Sequence, residues 1–173
     1  MNIPEYEWIR SSRKTLAVEV TRDGRVVVRA PARLSRKSIE TFLLKHEEWI
    51  REHVEIQRKR RESYPEPTSE QREELIRMAK ETLPGKVERY GEIMGLRPAG
   101  ITITGAEKRF GSCSAKNRIC FSWRLMMYPE AAIDYVVVHE LAHIRHKDHS
   151  KAFYACVEEV LPDWRERRNL LKG

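Results

Sequence analysis

Apolar positions along this chain change their spacing several times, and each change marks an element. Thr15 to Val20 and Arg25 to Ala30 are rich in β-branched residues and flank Thr21-Arg22-Asp23-Gly24, where Asp-Gly predicts a hairpin turn. From Ile39 the spacing lengthens. Ile39, Phe42, Leu43, Trp49, Ile50 and Val54 recur at helical intervals, behind Ser35 or Ser38 as the cap, and the stripe fades into Gln57-Arg58-Lys59-Arg60-Arg61. Pro65-Glu66-Pro67 breaks the chain, and Ser69 then reads as the N-cap of a helix carrying Leu75, Met78, Ala79, Leu83, Val87, Tyr90 and Met94, with Pro84-Gly85 as a kink or interruption. Ile101 to Thr104, Arg109 to Ser114 and Arg118 to Trp123 read as strands, with Lys116-Asn117 in the turn between the last two.

After these strands the pattern becomes nearly continuous. Pro129 and Glu130 open a helix in which Ile133, Val136, Val137, Val138, Leu141 and Ala142 cover much of the circumference, as in a helix inside a core. His139, Glu140 and His143 interrupt that apolar surface, and burying them without a partner is costly. A metal ion is the natural partner. Histidines four apart on a helix share one face, and zinc held there lowers the pKa of its bound water to about 7 while an adjacent carboxylate takes the proton. Catalytic zinc usually takes three protein ligands. His149 is the first candidate for the third, because Arg145-His146-Lys147-Asp148 can end the helix and swing the chain back. Glu158 or Glu159, on the final helical portion that starts near Ser150 and is interrupted at Pro162, is the other candidate. His146 continues the helix one turn beyond His143, so its imidazole lies too far along the axis to share the ion with His139 and reads as a partly exposed neighbour.

Composition narrows the class without naming a substrate. The 173 residues suit one domain, or a small domain with an extension. No run of about 18 apolar residues and no signal-like N-terminus is present, which predicts a soluble, cytoplasmic protein without a membrane partner. The three cysteines, Cys113, Cys120 and Cys156, lack paired metal spacing and read as free thiols. The net charge of +7 raises non-specific nucleic acid as a candidate partner. Its basic runs, Arg51 to Arg61 and Arg165 to Lys172, interleave with acids and read as solvated helix faces, and no base-stacking motif accompanies them.

The run Val136-Val137-Val138-His139-Glu140-Leu141-Ala142-His143, followed by His149-Ser150-x-x-Phe153, resembles the YgjP-like zinc metallopeptidases and, more distantly, SprT-like and other zincin proteases. Arg109-Phe110-Gly111-Ser112-Cys113-Ser114, Ile119 to Leu125, the segment Asp23 to Pro31 and Glu48-Trp49-Ile50 are similar to other parts of that family, with Phe110 where Trp is common. The resemblance implies an α+β, zincin-like fold in which a small β-sheet precedes and packs on the central HExxH helix. It implies one domain over 1–173, made of an N-terminal hairpin and long helix at about 8–63 and a catalytic core at about 69–173. It further implies one zinc per chain on His139, His143 and His149, Glu140 as general base, and a peptide or unfolded protein held extended along Arg109, Gly111, Ser112 and Cys113. The alternatives are a zinc-dependent nucleotide phosphohydrolase, a nucleoside triphosphate pyrophosphatase, and a latent DNA-associated SprT-like protease.

Overall fold

The computed structural model describes residues 5–21 and 23–171, so Arg22 of the predicted hairpin turn and Lys172 of the terminal basic run lie outside the described residues. The chain divides into two compact units between Glu66 and Pro67.

In the first unit, strands β1 (Tyr6–Ser11), β2 (Ala17–Val20) and β3 (Val26–Pro31) form a sheet in the order β1-β3-β2. The predicted hairpin is β2–β3, closed by Gly24 at φ 81 and by the Gly24 amide donating to the Thr21 carbonyl at 2.9 Å. Strand β1 is an addition to the predicted elements. Tyr6 and Trp8 alternate around Glu7 and pack on the core of this unit, and the strand joins the sheet by parallel pairing with β3, Tyr6 opposite Val26 through Ser11 opposite Pro31. The predicted single helix is two: α1 (Arg36–Lys45) and α2 (Glu47–Ser63). Ser35 caps α1, accepting from the Ser38 amide. The break falls at His46, whose backbone leaves the helical region (φ −115, ψ 16). Ile39, Leu43 and Ile50 close over Val26, Val28 and Ala30 to make the core of this unit.

The second unit opens with α3 (Ser69–Met94). Its cap is Thr68, not Ser69 as expected: Thr68 and Gln71 exchange side-chain to backbone hydrogen bonds, at 3.2 and 3.0 Å, in a capping box that Ser69 cannot form one residue later. The expected interruption at Pro84-Gly85 is absent, and α3 runs through Pro84 to a left-handed Gly95 at φ 64. Packing of its apolar face, Ala79, Leu83, Val87 and Tyr90, into the core offsets the hydrogen bond that proline cannot make. Strands β4 (Gly100–Thr104), β5 (Gly111–Cys113) and β6 (Arg118–Ser122) form a second sheet in the order β4-β6-β5. Observed β5 is shorter than the predicted 109–114 segment, and Trp123 belongs to a short 3-10 helix, Trp123–Met127, rather than to β6. Then follow α4 (Glu130–Arg145), α5 (Lys151–Val160) and α6 (Trp164–Asn169). The expected α+β arrangement is the observed one: the sheet precedes α4, its edge strand β5 lies against that helix, and Ile119 and Phe121 of β6 share a core with Val137, Val138, Leu141, Phe153 and Trp164.

Helix α4 is buried almost all round, as its sequence predicted. Asp134, in that buried face, is satisfied by the Lys86 ammonium at 2.7 Å and by Arg167 at 3.6 Å. Among the described residues no helix is long and apolar enough to cross a membrane. The basic run of α2 is laced with acids: Arg58 pairs with Glu55 and Glu62, and Lys59 lies near Glu55.

Candidate active site

Helix α4 carries His139 and His143 one turn apart, with ring centroids 4.8 Å from each other. The helix stops at Arg145, because His146 takes extended backbone (φ −124, ψ 110), and the chain turns back through Lys147 and Asp148. Asp148 accepts from the Ser150 amide at 3.2 Å, and Ser150 caps α5 by accepting from the Phe153 amide at 3.4 Å. These local bonds deliver His149 to the helix face, its Nε2 only 3.2 Å from that of His139. Ligand atoms of His139, His143 and His149 all lie within 4.8 Å of one another. Among the described residues this is the group of histidine, cysteine and carboxylate side chains able to hold a metal ion together. Glu158 pairs instead with Arg165 at 2.9 Å, and neither it nor Glu159 joins the group.

Neighbours orient the imidazoles. His143 Nδ1 donates to the His146 carbonyl at 3.0 Å, which leaves its Nε2 lone pair for a cation. The Tyr135 hydroxyl, one turn before His139, sits 3.3 Å from that residue's Nδ1. Phe153, fully buried, packs on all three rings with centroid distances of 4.8, 4.5 and 5.0 Å. Burial first, then the neighbouring His143 and His149, pushes the His139 imidazole down to about 3, and burial lowers His143 as well. Both are therefore neutral at ordinary pH, the form that binds a metal.

Glu140 is 5% exposed, and its Oε2 is buried with no hydrogen-bond partner. Burial raises its carboxyl to about 8, against the pull of the Arg109 guanidinium. A divalent cation among the imidazoles fits this arrangement: it would satisfy three clustered lone pairs and favour ionisation of the carboxyl beside it. Strand β5 runs against Glu140 so closely that a Cβ placed on Gly111 would lie 2.6 Å from Glu140 Cγ and Oε1. Glycine is required there for proximity, a role distinct from the strand-edge one expected of it.

The other predicted residues are distributed around this centre. Cys113, at the far end of β5, lies 3.9 Å from Lys147 Nζ and is outside the metal-binding group; burial pushes its thiol up. Ser112 pairs with Cys120 and lines with it a cavity of about 130 Å³, together with Thr104 and Ser122. Arg109 borders the same cavity and is exposed. His146 contributes its carbonyl rather than its ring. Sequence reasoning missed Tyr135, although its position four residues before His139 places it on the same helix face. It also missed Lys147, whose ammonium reaches Asn117 Oδ1 at 2.6 Å, and Arg168 of α6, whose charge bears on both His139 and Tyr135. Neither contact has a signal in local spacing.

A family model described as YgjP-like, metallopeptidase domain, matches residues 14–76 and 69–173. No curated protein matches the chain. Among solved structures, the metallopeptidase zymogen of Pyrococcus abyssi abylysin is similar at 23% sequence identity and a TM-score of 0.48, over 52% of this chain and 91% of that one.

Proposed function

From the premise that this chain belongs to the YgjP-like metallopeptidase family, we propose that it is a zinc-dependent peptidase using His139, His143 and His149 as ligands and Glu140 as general base. The observation that carries this reading is the meeting of three imidazoles beside a buried carboxylate oxygen without a hydrogen-bond partner. Three nitrogen ligands and an open fourth position are the usual make-up of catalytic zinc. When bound, the zinc would supply Lewis-acid polarisation of the scissile carbonyl and make water a nucleophile near neutral pH. The chain's own residues do the rest. Glu140 takes the proton of the attacking water on the free Oε2 and passes it to the leaving amine. Gly111 keeps β5 close enough that Glu140 has one place to stand. His146, through its carbonyl, fixes the tautomer of His143, and Phe153 excludes water from beneath the rings.

We take the two units as parts of one family domain, and peptide as the substrate. Among the described residues strand β5 pairs with β6 alone, which leaves its outer edge to add an extended peptide as a further strand, with Gly111, Ser112 and Cys113 supplying backbone groups and Arg109 at the entrance. Recognition through backbone favours unfolded or flexible substrates with few side-chain demands.

Elemental analysis together with a peptide-library assay tests the proposal. The protein should hold about one zinc per chain and cleave peptides, and His139→Ala, His143→Ala or His149→Ala should lose both. Full zinc retention in His149→Ala, or hydrolysis of nucleoside triphosphates in place of peptides, would overturn it.

A further inference from the structure

Lys147 stands two residues before His149, in the loop that returns the chain to the metal site. Its ammonium leaves that loop and meets the turn between β5 and β6, at 2.6 Å from Asn117 Oδ1, 3.3 Å from the Ser114 carbonyl and 3.9 Å from Cys113 Sγ. An ammonium has three N–H donors, and here three acceptors face it.

The turn is built as an anchor. Asn117 adopts the left-handed conformation (φ 56) and donates its amide to the Ser114 carbonyl at 3.0 Å. The Ser114 amide donates to the Arg118 carbonyl at 2.9 Å, the Arg118 amide to Ser114 Oγ at 3.1 Å, and the Ala99 amide to the Asn117 carbonyl at 2.8 Å. Four backbone amides thus fix the turn before Lys147 arrives. His149, by contrast, is exposed, and among the described residues its imidazole meets its fellow histidines and the rings of Phe153 and Tyr154. Its loop is tethered further by His143 to the His146 carbonyl, by the His146 amide to the Ala142 carbonyl and by Ser150 to Asp148. Among the described residues Lys147 ties the loop to the sheet.

We propose that Lys147 is a positioning residue for the metal site: by clasping Ser114 and Asn117 it holds the His149 loop against the β5–β6 turn and keeps the third ligand in place. This rests on the reading of His149 as that ligand. Strand β5 then serves as a common reference for both halves of the site. Gly111 at one end sets Glu140, and the turn beyond Cys113 at the other end sets His149.

The test is the rate at which zinc leaves the loaded protein under excess chelator. Lys147→Ala should release zinc about tenfold faster than the parent, the scale of a lost charge-assisted hydrogen bond. Asn117→Gly, which keeps the left-handed backbone and removes Oδ1, should move the rate the same way by less. Combined, the two should release zinc no faster than Lys147→Ala alone, since they remove one interaction. Lys147→Arg should restore part of the retention. A second readout needs no metal: in the metal-free protein, amide exchange at 147–149 should quicken in Lys147→Ala while the amides of α4 keep their protection. Parental zinc release in Lys147→Ala, with zinc lost from His149→Ala, would overturn the clasp while leaving the ligand assignment standing. Zinc retained by His149→Ala would instead overturn the assignment and the clasp together.

Discussion

The two units are built on the same small sheet and differ in what they bury. In each, the third strand lies in the middle, parallel to the first and antiparallel to the second: β1-β3-β2 in one unit, β4-β6-β5 in the other. In each, a tight hairpin joins the second strand to the third. Over β3 the first unit lays Ile39, Leu43 and Ile50, and its ion pairs, such as Arg36 with Glu40 and Arg58 with Glu55, lie at the surface, where such pairs contribute little. Among the described residues it buries no charged side chain, whereas the second unit buries Asp134 and Glu140 on one helix. One of these is neutralised by Lys86 and Arg167; the other has a free oxygen beside three imidazoles. Topology is thus shared by a unit that buries two acidic side chains and a unit that, among the described residues, buries none. The difference lies in polar groups placed where burial is expensive.

The largest expected effect is on catalysis. Glu140→Gln keeps size and removes the base, so peptide hydrolysis should fall by about 100-fold or more while zinc content stays near one per chain. Parental turnover in a zinc-loaded variant would sink the assignment of Glu140. The matching change in the first unit is Leu43→Ala, which should cost about 2–5 kcal/mol of stability in denaturant titration and leave zinc content unaltered under native conditions. Loss of zinc in that variant would show that the contrast between the units is misplaced.

A pair of glycines sharpens the comparison. Gly111→Ala forces a methyl against the Glu140 carboxyl, so turnover should drop by about tenfold or more in a zinc-loaded protein. Gly24→Ala strains a hairpin at φ 81 and should lower stability by roughly 1 kcal/mol with turnover unchanged. Equal effects of the two on turnover would refute the proximity argument.

The smallest effect is a pH dependence in chelator-treated protein. Folding holds the Glu140 carboxyl at about 8 against an ordinary 4.5, so the stability linked to its proton is full below about 4.5 and is lost as pH rises through 8. His139, held at about 3 against 6.5, contributes stability that is full above 6.5 and is lost as pH falls through 3. From pH 6.5 to 8 the Glu140 slope acts without that opposition. The melting temperature of the metal-free protein should fall over this interval, and Glu140→Gln should remove the fall; an unchanged fall in that variant would rule out Glu140 as its source.

The sequence by itself determined the elements whose signals are local. The spacing of His139 and His143 follows from the helical repeat, the buried character of α4 from its apolar run, and the nearness of His149 from a polar stretch too short to carry it far. Asp23-Gly24 likewise announced a hairpin because few residue pairs accept its backbone angles. Tertiary structure decided what depended on a distant partner. Strand β1 carries just the short alternation of Tyr6 and Trp8, and its place in the sheet comes from pairing along β3. The need for glycine at 111 arises from Glu140, and the grip of Lys147 from Ser114 and Asn117, about thirty residues away in the chain. Helical and strand periods are set by backbone geometry that each residue carries with it. Contacts across such separations exist only once the core of Phe121, Val137, Leu141 and Phe153 has closed and brought β5 against α4.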